Sequence, residues 1–346
     1  MFRSHSPAAF AVLGVAALAL TGCSTAASTA DDAQPSAGAL ESTTITLYTS
    51  EPQEKADALV EAFNEVHPEI TVEVFRAGTG DLTTRVAAEK ETGKIQADVF
   101  LAADAATFEN YAADGMLLEH TPADVDALDP AVVDPEGFYV GTRIIPTVIA
   151  YNTSMVDAAD VPASWADLTA ADYADRIVMP NPDVSGAAAY NAAVWLDEDT
   201  LGEEWMTALA ANRPVIADSN GPVSQAVATG TQPIGIVVDY LVRELAAQGS
   251  PIAVSYPSEG VPFVSQPAGI FSDTENADAA RAFVDFLVSA DGQKLAVEQS
   301  YLPVRGDVGS PEGAPELEHI ALLAPELETI RATQPGAVET FRELFQ

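Results

Sequence analysis

The sequence predicts an α/β fold built as two lobes that are joined by crossing strands. Three observations support this fold class. Short β-rich segments alternate with amphipathic helical segments from residue 44 onwards, which predicts parallel strands covered by helices on both faces. Two extended segments interrupt this alternation, and the chain of 346 residues is long enough to build two hydrophobic cores.

The first alternating region runs from residue 44 to about residue 101. Its strand segments are rich in β-branched and apolar residues, and its first helical segment has Ala56, Leu59 and Phe63 at helical spacing. We therefore expect an amphipathic helix between two strands at the start of the fold. The predicted strands are 44–48, 70–75 and 97–101, and the predicted helices are 53–66 and 81–91.

A second alternating region follows an extended segment at residues 139–151, and another extended segment at residues 261–270 leads back. Each segment is long enough to cross between lobes. The predicted strands here are 177–179, 215–216, 234–238 and 254–256, and the predicted helices are 185–195, 205–212 and 222–229. A further helix is predicted at 277–287, after the returning segment. The predicted organisation is lobe 1 at 44–142 and 268–320, lobe 2 at 150–264, hinge crossings at 143–149 and 262–269, and a C-terminal helical segment at 321–346.

The N-terminus has the pattern of an export signal. Residues 8–20 are almost wholly apolar, a length that suits a signal peptide and is too short to span a bilayer. This run leads into Leu-Thr-Gly-Cys at residues 20–23, which resembles the bacterial lipobox. We expect a signal peptide at 1–22 and a lipid on Cys23; the alternative is an ordinary signal peptide with a cysteine present by chance.

Residues 23–43 are predicted to form a flexible tether, because they are small and polar and offer little apolar surface to bury. The expected location is outside the cytoplasm, with the protein anchored by its lipid to the outer face of the cell membrane. Cys23 is the only cysteine, so a lipidated chain has no internal disulfide and depends on packing for its stability.

The charge of the chain excludes two classes of partner. With 52 acidic and 15 basic residues the formal net charge is −37, and the acidic residues are spread along the chain. Nucleic acids and anionic lipid headgroups are both recognised through Lys and Arg. We therefore expect no nucleic-acid partner and no membrane contact other than the lipid anchor.

No strong catalytic motif is present in the sequence. The G-x-S-x-G, phosphate-binding G-x-x-x-x-G-K and H-E-x-x-H patterns are absent. His67, His120 and His319 lie in segments that we expect to be exposed, so none is assigned a catalytic or metal-binding role. The sequence favours a binding protein without a cofactor over an enzyme.

Three loops join the carboxyl end of a predicted strand to the start of a predicted helix, at residues 48–50, 78–81 and 183–187. Ligands of parallel α/β sheets lie at these ends, where free backbone N–H groups and the helix dipole attract anions. Each loop alone is most simply a helix cap. The three together favour an anion clamp, whose candidate residues are Ser50, Thr79, Gly80, Ser185, Gly186 and Ala187.

A carboxylate and a phenol follow the predicted strand at 234–238. Asp239 is costly to bury without a partner, and a bound amine, sugar hydroxyl or metal would supply one. The alternative is that Asp239 caps the next helix. Tyr240 lies beside it, and Glu259 is a second candidate carboxylate of the same kind.

Several of these segments resemble the solute-binding proteins of bacterial ABC importers. The matching segments are the lipobox, TLYTS at 46–50, GTGDL at 78–82, ADVFLAAD at 97–104, YN at 151–152, SWADL at 164–168 and IGIVVDY at 234–240. Their order covers nearly the whole folded chain. The most similar branch binds ferric iron and includes relatives for phosphonates and phosphorylated sugars. The resemblance implies a type II periplasmic-binding-protein fold, whose two lobes are hinged by crossing strands and close on a ligand.

The resemblance also implies a ligand class. Ferric binders of this branch carry two adjacent tyrosines, whereas this chain has Asp239 and Tyr240, followed later by YPSEG at 256–260. The phosphonate and sugar-phosphate relatives look more like this. We expect a small phosphorus oxyanion with a polar or amine end, such as aminoethylphosphonate or a sugar phosphate, with Asp239 and Glu259 on the amine or hydroxyls.

Three alternatives stay open at this point. The first is ferric iron bound by Tyr240, Asp239, Glu259 and a bridging anion. The second is an extracytoplasmic enzyme that uses Asp239 as acid or base, and the third is a sensor that presents its ligand-bound form to a membrane kinase. The resemblance implies an ABC permease and ATPase as partners of a monomeric receptor.

Overall fold

The alternating apolar segments form two β-sheets. The structure is a computed structural model that describes residues 43–346, with the side chain of residue 318 left aside. The predicted signal peptide, Cys23 and the tether up to residue 42 lie outside the described residues. Within 43–346 no helix combines the length and the apolar character that crossing a membrane requires.

The first sheet is mixed, not wholly parallel as the alternation predicts. Its parallel part pairs the central strand β1 with β2 and β3, and its last-added strand β12 runs antiparallel to β3, β4 and β5. The antiparallel part arises because the chain returns from the second sheet directly into β12. The strands are β1 (Thr43–Thr49), β2 (Ile70–Arg76), β3 (Val99–Leu101), β4 (Leu117–Leu118), β5 (Tyr139–Gly141) and β12 (Pro267–Phe271).

The second sheet is also mixed, and its order is β13-β11-β6-β9-β7-β8, with β10 paired to β6. The strand β7 runs parallel to β8 and β9, whereas β6 is antiparallel to β9, β10 and β11. The strands are β6 (Ile145–Asn152), β7 (Ile177–Pro180), β8 (Val215–Ala217), β9 (Ile234–Val238), β10 (Ile252–Ser255), β11 (Val261–Val264) and β13 (Leu322–Leu323). We call the first sheet with its helices lobe 1 and the second sheet with its helices lobe 2.

Ten α-helices flank the sheets in the described part of the chain. The predicted helix at 53–66 is confirmed, and the backbone N–H of His67 closes its last turn on Phe63 O. Helices α3 and α9 are absent from the prediction, because both are short and alanine-rich or polar, with weak periodicity. The helices are α1 (Gln53–Val66), α2 (Thr79–Thr92), α3 (Ala105–Ala113), α4 (Gly186–Asp197), α5 (Gly202–Ala211), α6 (Asn220–Ala228), α7 (Asp239–Ala247), α8 (Ala277–Val288), α9 (Ala290–Glu298) and α10 (Leu327–Phe345).

The two predicted extended segments each divide between the sheets. The chain leaves β5 and enters β6 through residues 142–144, and it returns from β11 to β12 through residues 265–266. The two crossings are bonded to each other: Thr142 N donates to Ser265 O at 2.9 Å, and Thr142 Oγ1 donates to Gln266 O at 2.8 Å. The lobe boundaries built on these crossings remain a proposal.

Each lobe has an aromatic group in its core. In lobe 1 the ring of Phe63 lies 5.0 Å from that of Phe283 and 5.6 Å from that of Phe286, so α1 and α8 pack together on one face of the sheet. In lobe 2 three tryptophans stack on one another at 5.2–6.3 Å, and the indoles of two of them donate to backbone carbonyls. The tryptophans are Trp165, Trp195 and Trp205.

Truncation of Phe63 should strongly destabilise the protein. Phe63 is fully buried, and Phe63→Ala removes a ring that packs against both α8 phenylalanines, so we expect a loss of about 3–5 kcal/mol in the free energy of unfolding. Urea denaturation measures this. Val66→Ala on the same helix is the control, since Val66 is 56% exposed and should change stability by less than about 0.5 kcal/mol. Similar losses for both variants would contradict the packing described.

Candidate ligand-binding site

A cavity of about 510 Å³ lies between the lobes. Its walls come from the residues that follow β1, β2 and β3 in lobe 1 and β7, β8 and β9 in lobe 2. These are the carboxyl ends of the strands, where α/β sheets place their ligands. The cavity is therefore at the position that the sequence predicts for a binding site.

The N-termini of three helices line this cavity, those of α2, α4 and α6. Ser185 caps α4, and its Oγ accepts from Ala188 N at 3.2 Å and from the side-chain amide of Asn220 at 3.0 Å. Asn220 is the first residue of α6, so these two helix starts are held side by side. The first N–H groups of a helix have no intrahelical acceptor, and the helix dipole adds positive potential. The arrangement is suited to an anion.

Most of the predicted anion-clamp residues line the cavity, and Ser50 does so from the end of β1. Its Oγ accepts from Ala103 N at 3.3 Å, which leaves the hydroxyl proton available to a ligand. Gly80 is the exception, because it faces a second, neighbouring cavity. The predicted residues that line the main cavity are Ser50, Thr79, Ser185, Gly186, Ala187 and Tyr240.

The two lobes approach each other closely at the glycines of these loops. A Cβ on Gly80 would lie 2.0 Å from Asp183 O, and a Cβ on Gly186 would lie 2.7 Å from Ala103 O and 2.8 Å from Thr79 Oγ1. Any other residue at either position would push the two backbones apart. The sequence identifies these glycines as loop residues, but their role at the contact between lobes is visible only in the structure.

Asp239 does not line the cavity. Its carboxylate is fully buried and accepts hydrogen bonds from Arg243 Nη1 and, at 3.2 Å, from Tyr256 OH. Burial raises the pKa of Asp239, and the Arg243 guanidinium opposes this rise. Arg243 also donates to Ser300 O at 2.6 Å, across to lobe 1. The partner that the sequence analysis sought in a ligand is thus an arginine one turn along the same helix.

Glu259 is likewise outside the cavity. Its two carboxylate oxygens accept from Trp165 N at 3.2 Å and Ala166 N at 3.1 Å, where a short 3₁₀ helix begins. This is the role of a helix cap. The structure therefore brings neither Asp239 nor Glu259 to the anion clamp, and their predicted contacts with a ligand have no support in its geometry.

Tyr240 does line the cavity, and it has a second tyrosine beside it. The ring centroids of Tyr240 and Tyr301 are 4.3 Å apart, and Lys55 Nζ lies 5.0 Å and 4.5 Å from them. Burial raises the pKa of both phenols, so both are neutral at physiological pH. Tyr301 comes from a distant part of the chain, and no local motif marks it.

Glu51 is a cavity residue that the sequence analysis missed. It is 1% exposed, and its carboxylate accepts from Tyr301 OH and Gln266 Nε2, each at 2.5 Å, with Arg143 Nη1 at 3.2 Å. In the sequence, Glu51 is only part of a polar turn before a helix. No local sequence pattern indicates that Glu51 joins distant segments of the chain.

Three further charged side chains line the cavity: Arg76, Asp81 and Asp218. Arg76 Nε donates to Glu51 O at 3.1 Å, which orients this cation toward the start of α1. Asp218 precedes α6, after β8. This loop also joins the end of a strand to the start of a helix. The same sequence pattern therefore predicts it as a cavity loop, although it is not one of the three loops selected above.

In the part of the chain that the structure describes, neither the histidines nor the other side chains able to bind a metal form a further site. His120 Nε2 lies 2.8 Å from Asp285 Oδ1 and is largely shielded from solvent, which differs from the predicted exposure. His67 lies 3.3 Å from Glu69, and neither histidine lines the cavity. Across residues 43–346, no group of three or more His, Cys, Asp or Glu side chains is arranged to hold a metal ion.

Loss of the Asp239 carboxylate should reduce stability. Asp239→Asn leaves Arg243 buried without its counter-charge, so we expect the free energy of unfolding to fall by about 3–5 kcal/mol in urea denaturation. The matched control is Asp175→Asn, which removes the partner of Arg213 from a pair whose side chains are about two-thirds exposed. There the loss should be much smaller, because solvent screens an exposed ion pair. Equal losses would argue that the Asp239 pair is not an internal structural element.

Comparisons with known proteins agree with this architecture. Over 258 residues the chain is 26% identical to a probable ABC transporter periplasmic-binding protein of Sinorhizobium fredii, covering 72% of this chain and 70% of the relative. Iron-bound HitA from Pseudomonas aeruginosa superposes with a TM-score of 0.79 at 21% identity, covering 88% of this chain and all of that one.

The periplasmic binding protein AfuA from Actinobacillus pleuropneumoniae, with fructose-6-phosphate bound, superposes with a TM-score of 0.80 at 21% identity, over 88% of this chain and 98% of that one. The fold is thus that of the type II periplasmic binding proteins, as predicted. A family model described as bacterial extracellular solute-binding protein matches residues 94–331. The chain belongs to the family of bacterial extracellular solute-binding proteins.

Proposed function

We propose that this protein is the substrate-binding component of an ABC importer and that its cargo is a small phosphorus oxyanion, a phosphonate or a sugar phosphate. It would capture this solute between its lobes and deliver it to a permease driven by an ATPase. Its relatives' role as periplasmic binding proteins supports the transport part of the proposal. The structure supports a particular class of cargo.

The observation that carries the cargo class is the convergence of the α2, α4 and α6 N-termini on one cavity. The helix α2 belongs to lobe 1, and α4 and α6 belong to lobe 2. An anion at this point receives N–H donors and hydroxyls from both lobes, so its binding favours the arrangement in which the lobes touch. Arg76 adds a cation to the same wall.

The other end of the cargo would be polar or cationic. Asp81 and Asp218 line the cavity together with the side chain of Asn220, and these groups accept hydrogen bonds from hydroxyls or an amine. They take the place that the sequence analysis gave to Asp239 and Glu259. Aminoethylphosphonate and sugar phosphates both combine such an end with a phosphorus oxyanion.

Ferric iron is the second candidate, because a carboxylate and two phenols lie together at Glu51, Tyr240 and Tyr301. Oxygen ligands of this kind suit Fe³⁺. One feature favours the phosphorus oxyanion instead. The Glu51 carboxylate is already paired with Arg143 and Gln266, which leaves it less available to a metal ion. The structures of relatives in complex with iron and with fructose-6-phosphate fit either candidate.

The proposed location completes the transport function. A lipid on Cys23 and a tether up to residue 43 would hold the receptor at the outer face of the membrane while leaving the lobes free to move. The proposed protein works as a monomer and catalyses no reaction. Recovery of an unchanged ligand after binding would distinguish it from an enzyme.

Phosphonate or sugar phosphate should bind, and the contact at Gly186 should be needed for tight binding. In calorimetry with 2-aminoethylphosphonate, fructose 6-phosphate and inorganic phosphate, we expect at least one to bind and to raise the melting temperature with its concentration. Gly186→Ala places a methyl group against Ala103 O and should weaken binding tenfold or more, equivalent to about 1.4 kcal/mol. The matched control is Gly306→Ala, since a Cβ there meets no atom within 4 Å. Absence of binding across this panel would reject the proposed cargo.

Added Fe³⁺ should produce no tyrosinate charge-transfer band. Because the Glu51 carboxylate beside these phenols is already paired with Arg143 and Gln266, we expect an unchanged visible spectrum when ferric citrate is added to the wild-type protein. Tyr240→Phe should bind the phosphorus ligand about as well as the wild type. A visible band that appears with iron and disappears in Tyr240→Phe would replace the proposed cargo with ferric iron.

A further inference from the structure

A second cavity, of about 360 Å³, lies beneath the C-terminal helix α10. Its walls come from α2 and α3 in lobe 1, from the start of α4 in lobe 2, and from one face of α10. It adjoins the main cavity at Thr79 and Gly186, which contribute to both. The second cavity is thus a separate space at the same boundary between the lobes.

The helix α10 bonds to both lobes around this cavity. Gln334 Nε2 donates to Asp104 Oδ2 at 3.1 Å, and Asp104 precedes α3 in lobe 1. Arg342 Nε donates to Asp183 Oδ1 at 2.9 Å, and Asp183 precedes α4 in lobe 2. Any ligand in the cavity would therefore contact a region where three parts of the fold meet.

Three buried oxygen atoms in this cavity's lining lack a hydrogen-bond partner: Asp104 Oδ1, Tyr111 OH and Gln334 Oε1. Asp104 is 5% exposed, and its other oxygen accepts from Thr107 Oγ1 at 2.6 Å as well as from Gln334. Buried polar atoms in proteins are nearly always satisfied by protein, water or a ligand. Three such atoms on side chains that line one cavity indicate a site.

The charge of the site indicates the class of ligand that it binds. Among the described side chains no Lys, Arg or His forms an ion pair with Asp104; the adjacent Arg342 is paired with Asp183. The groups that oppose the rise in the pKa of Asp104 are the Thr107 hydroxyl, the Gln334 amide and the backbone N–H groups of Ala106 and Thr107, none of which carries a full positive charge. A buried carboxylate without a counter-charge is costly, and burial raises the pKa of Asp104 accordingly. A bound cation would remove that cost.

We propose that this second cavity binds a monovalent cation, Na⁺, K⁺ or an ammonium group, through Asp104 Oδ1, Gln334 Oε1 and Tyr111 OH. A single carboxylate with neutral oxygens matches one positive charge, whereas Ca²⁺ and Mg²⁺ sites usually combine more ligand oxygens and more negative charge. The cation would join α3 of lobe 1 to α10, which is itself bonded to lobe 2. This inference does not depend on which solute occupies the main cavity.

The test compares cations at one fixed ionic strength. The melting temperature of the full-length protein is measured in rising NaCl, KCl, NH₄Cl or methylammonium chloride, with tetramethylammonium chloride making up the remaining ionic strength. This background cation is too large and lacks N–H donors, yet it screens the net charge of −37 equally. We expect the melting temperature to rise by several degrees with the logarithm of at least one small cation. Comparison of NaCl and KCl with NH₄Cl and methylammonium chloride distinguishes an inorganic ion from an ammonium group.

The decisive variant is Asp104→Asn, which keeps the shape and the helix-capping capacity of the side chain but removes its charge. It should lose the cation-dependent shift, and it should also lose the broadening of the ²³Na NMR line that the wild type produces if sodium binds. The matched control is Asp199→Asn, an exposed carboxylate between α4 and α5 that should keep the full response. Should Asp104→Asn fail to fold, Tyr111→Phe removes a second oxygen and should shift the response to higher cation concentration.

Three results would overturn the proposal. The first is a wild-type response that is the same for all five cations. The second is a small-cation response that persists in Asp104→Asn, which would place the cation elsewhere. The third is a variant Asp104→Asn that is more stable than the wild type in every salt without cation dependence, which would mean that Asp104 is a neutral acid.

Discussion

The buried carboxylate of Glu51 holds together the segments on which the rest of the molecule depends. Arg143 lies in the outgoing crossing between the sheets, Gln266 in the returning crossing, and Tyr301 after α9, and all three contact this one side chain. Charge-assisted hydrogen bonds are stronger than neutral ones, and a buried network has to be satisfied as a whole. Glu51 also lies in the wall of the main cavity, so the side chain that joins the two crossings borders the proposed ligand site.

This arrangement explains how the site acts on both lobes. Glu51 joins the two crossings beside the cavity. The helix N-termini that line the cavity belong to different lobes, that of α2 to lobe 1 and those of α4 and α6 to lobe 2. Glycines at the contact let the two backbones approach, and the Lys55–Glu244 ion pair and the hydrogen bond from Arg243 to Ser300 O add further bonds between the lobes. The anion that we propose as cargo would contact helix starts of both lobes, so its binding would stabilise the joined form more than the separated form.

The sequence predicts the local part of this picture well. Hydrophobic periodicity identified α1, α8 and most central strands, and the strand-to-helix rule selected the loops of Ser50, Thr79 and Ser185 that line the cavity. It was less informative about side-chain partners. Asp239 was assigned to a ligand although Arg243, its counter-charge, lies one helical turn away at a spacing typical of ion pairs. Tyr301 is distant in the chain and joined Tyr240 only through tertiary packing. The antiparallel strands of both sheets arise where the chain crosses between the sheets. No local sequence pattern predicts the direction of these strands.

The tryptophan cluster of lobe 2 has a consequence for optical experiments. All three tryptophans of the chain lie in this one cluster, their rings in contact and none of them in the wall of either cavity. Tryptophan emission therefore originates entirely in lobe 2 and does not report the distance between the lobes directly. If a solute brings the lobes together, as we propose, an energy acceptor placed in lobe 1 would allow that motion to be followed by light.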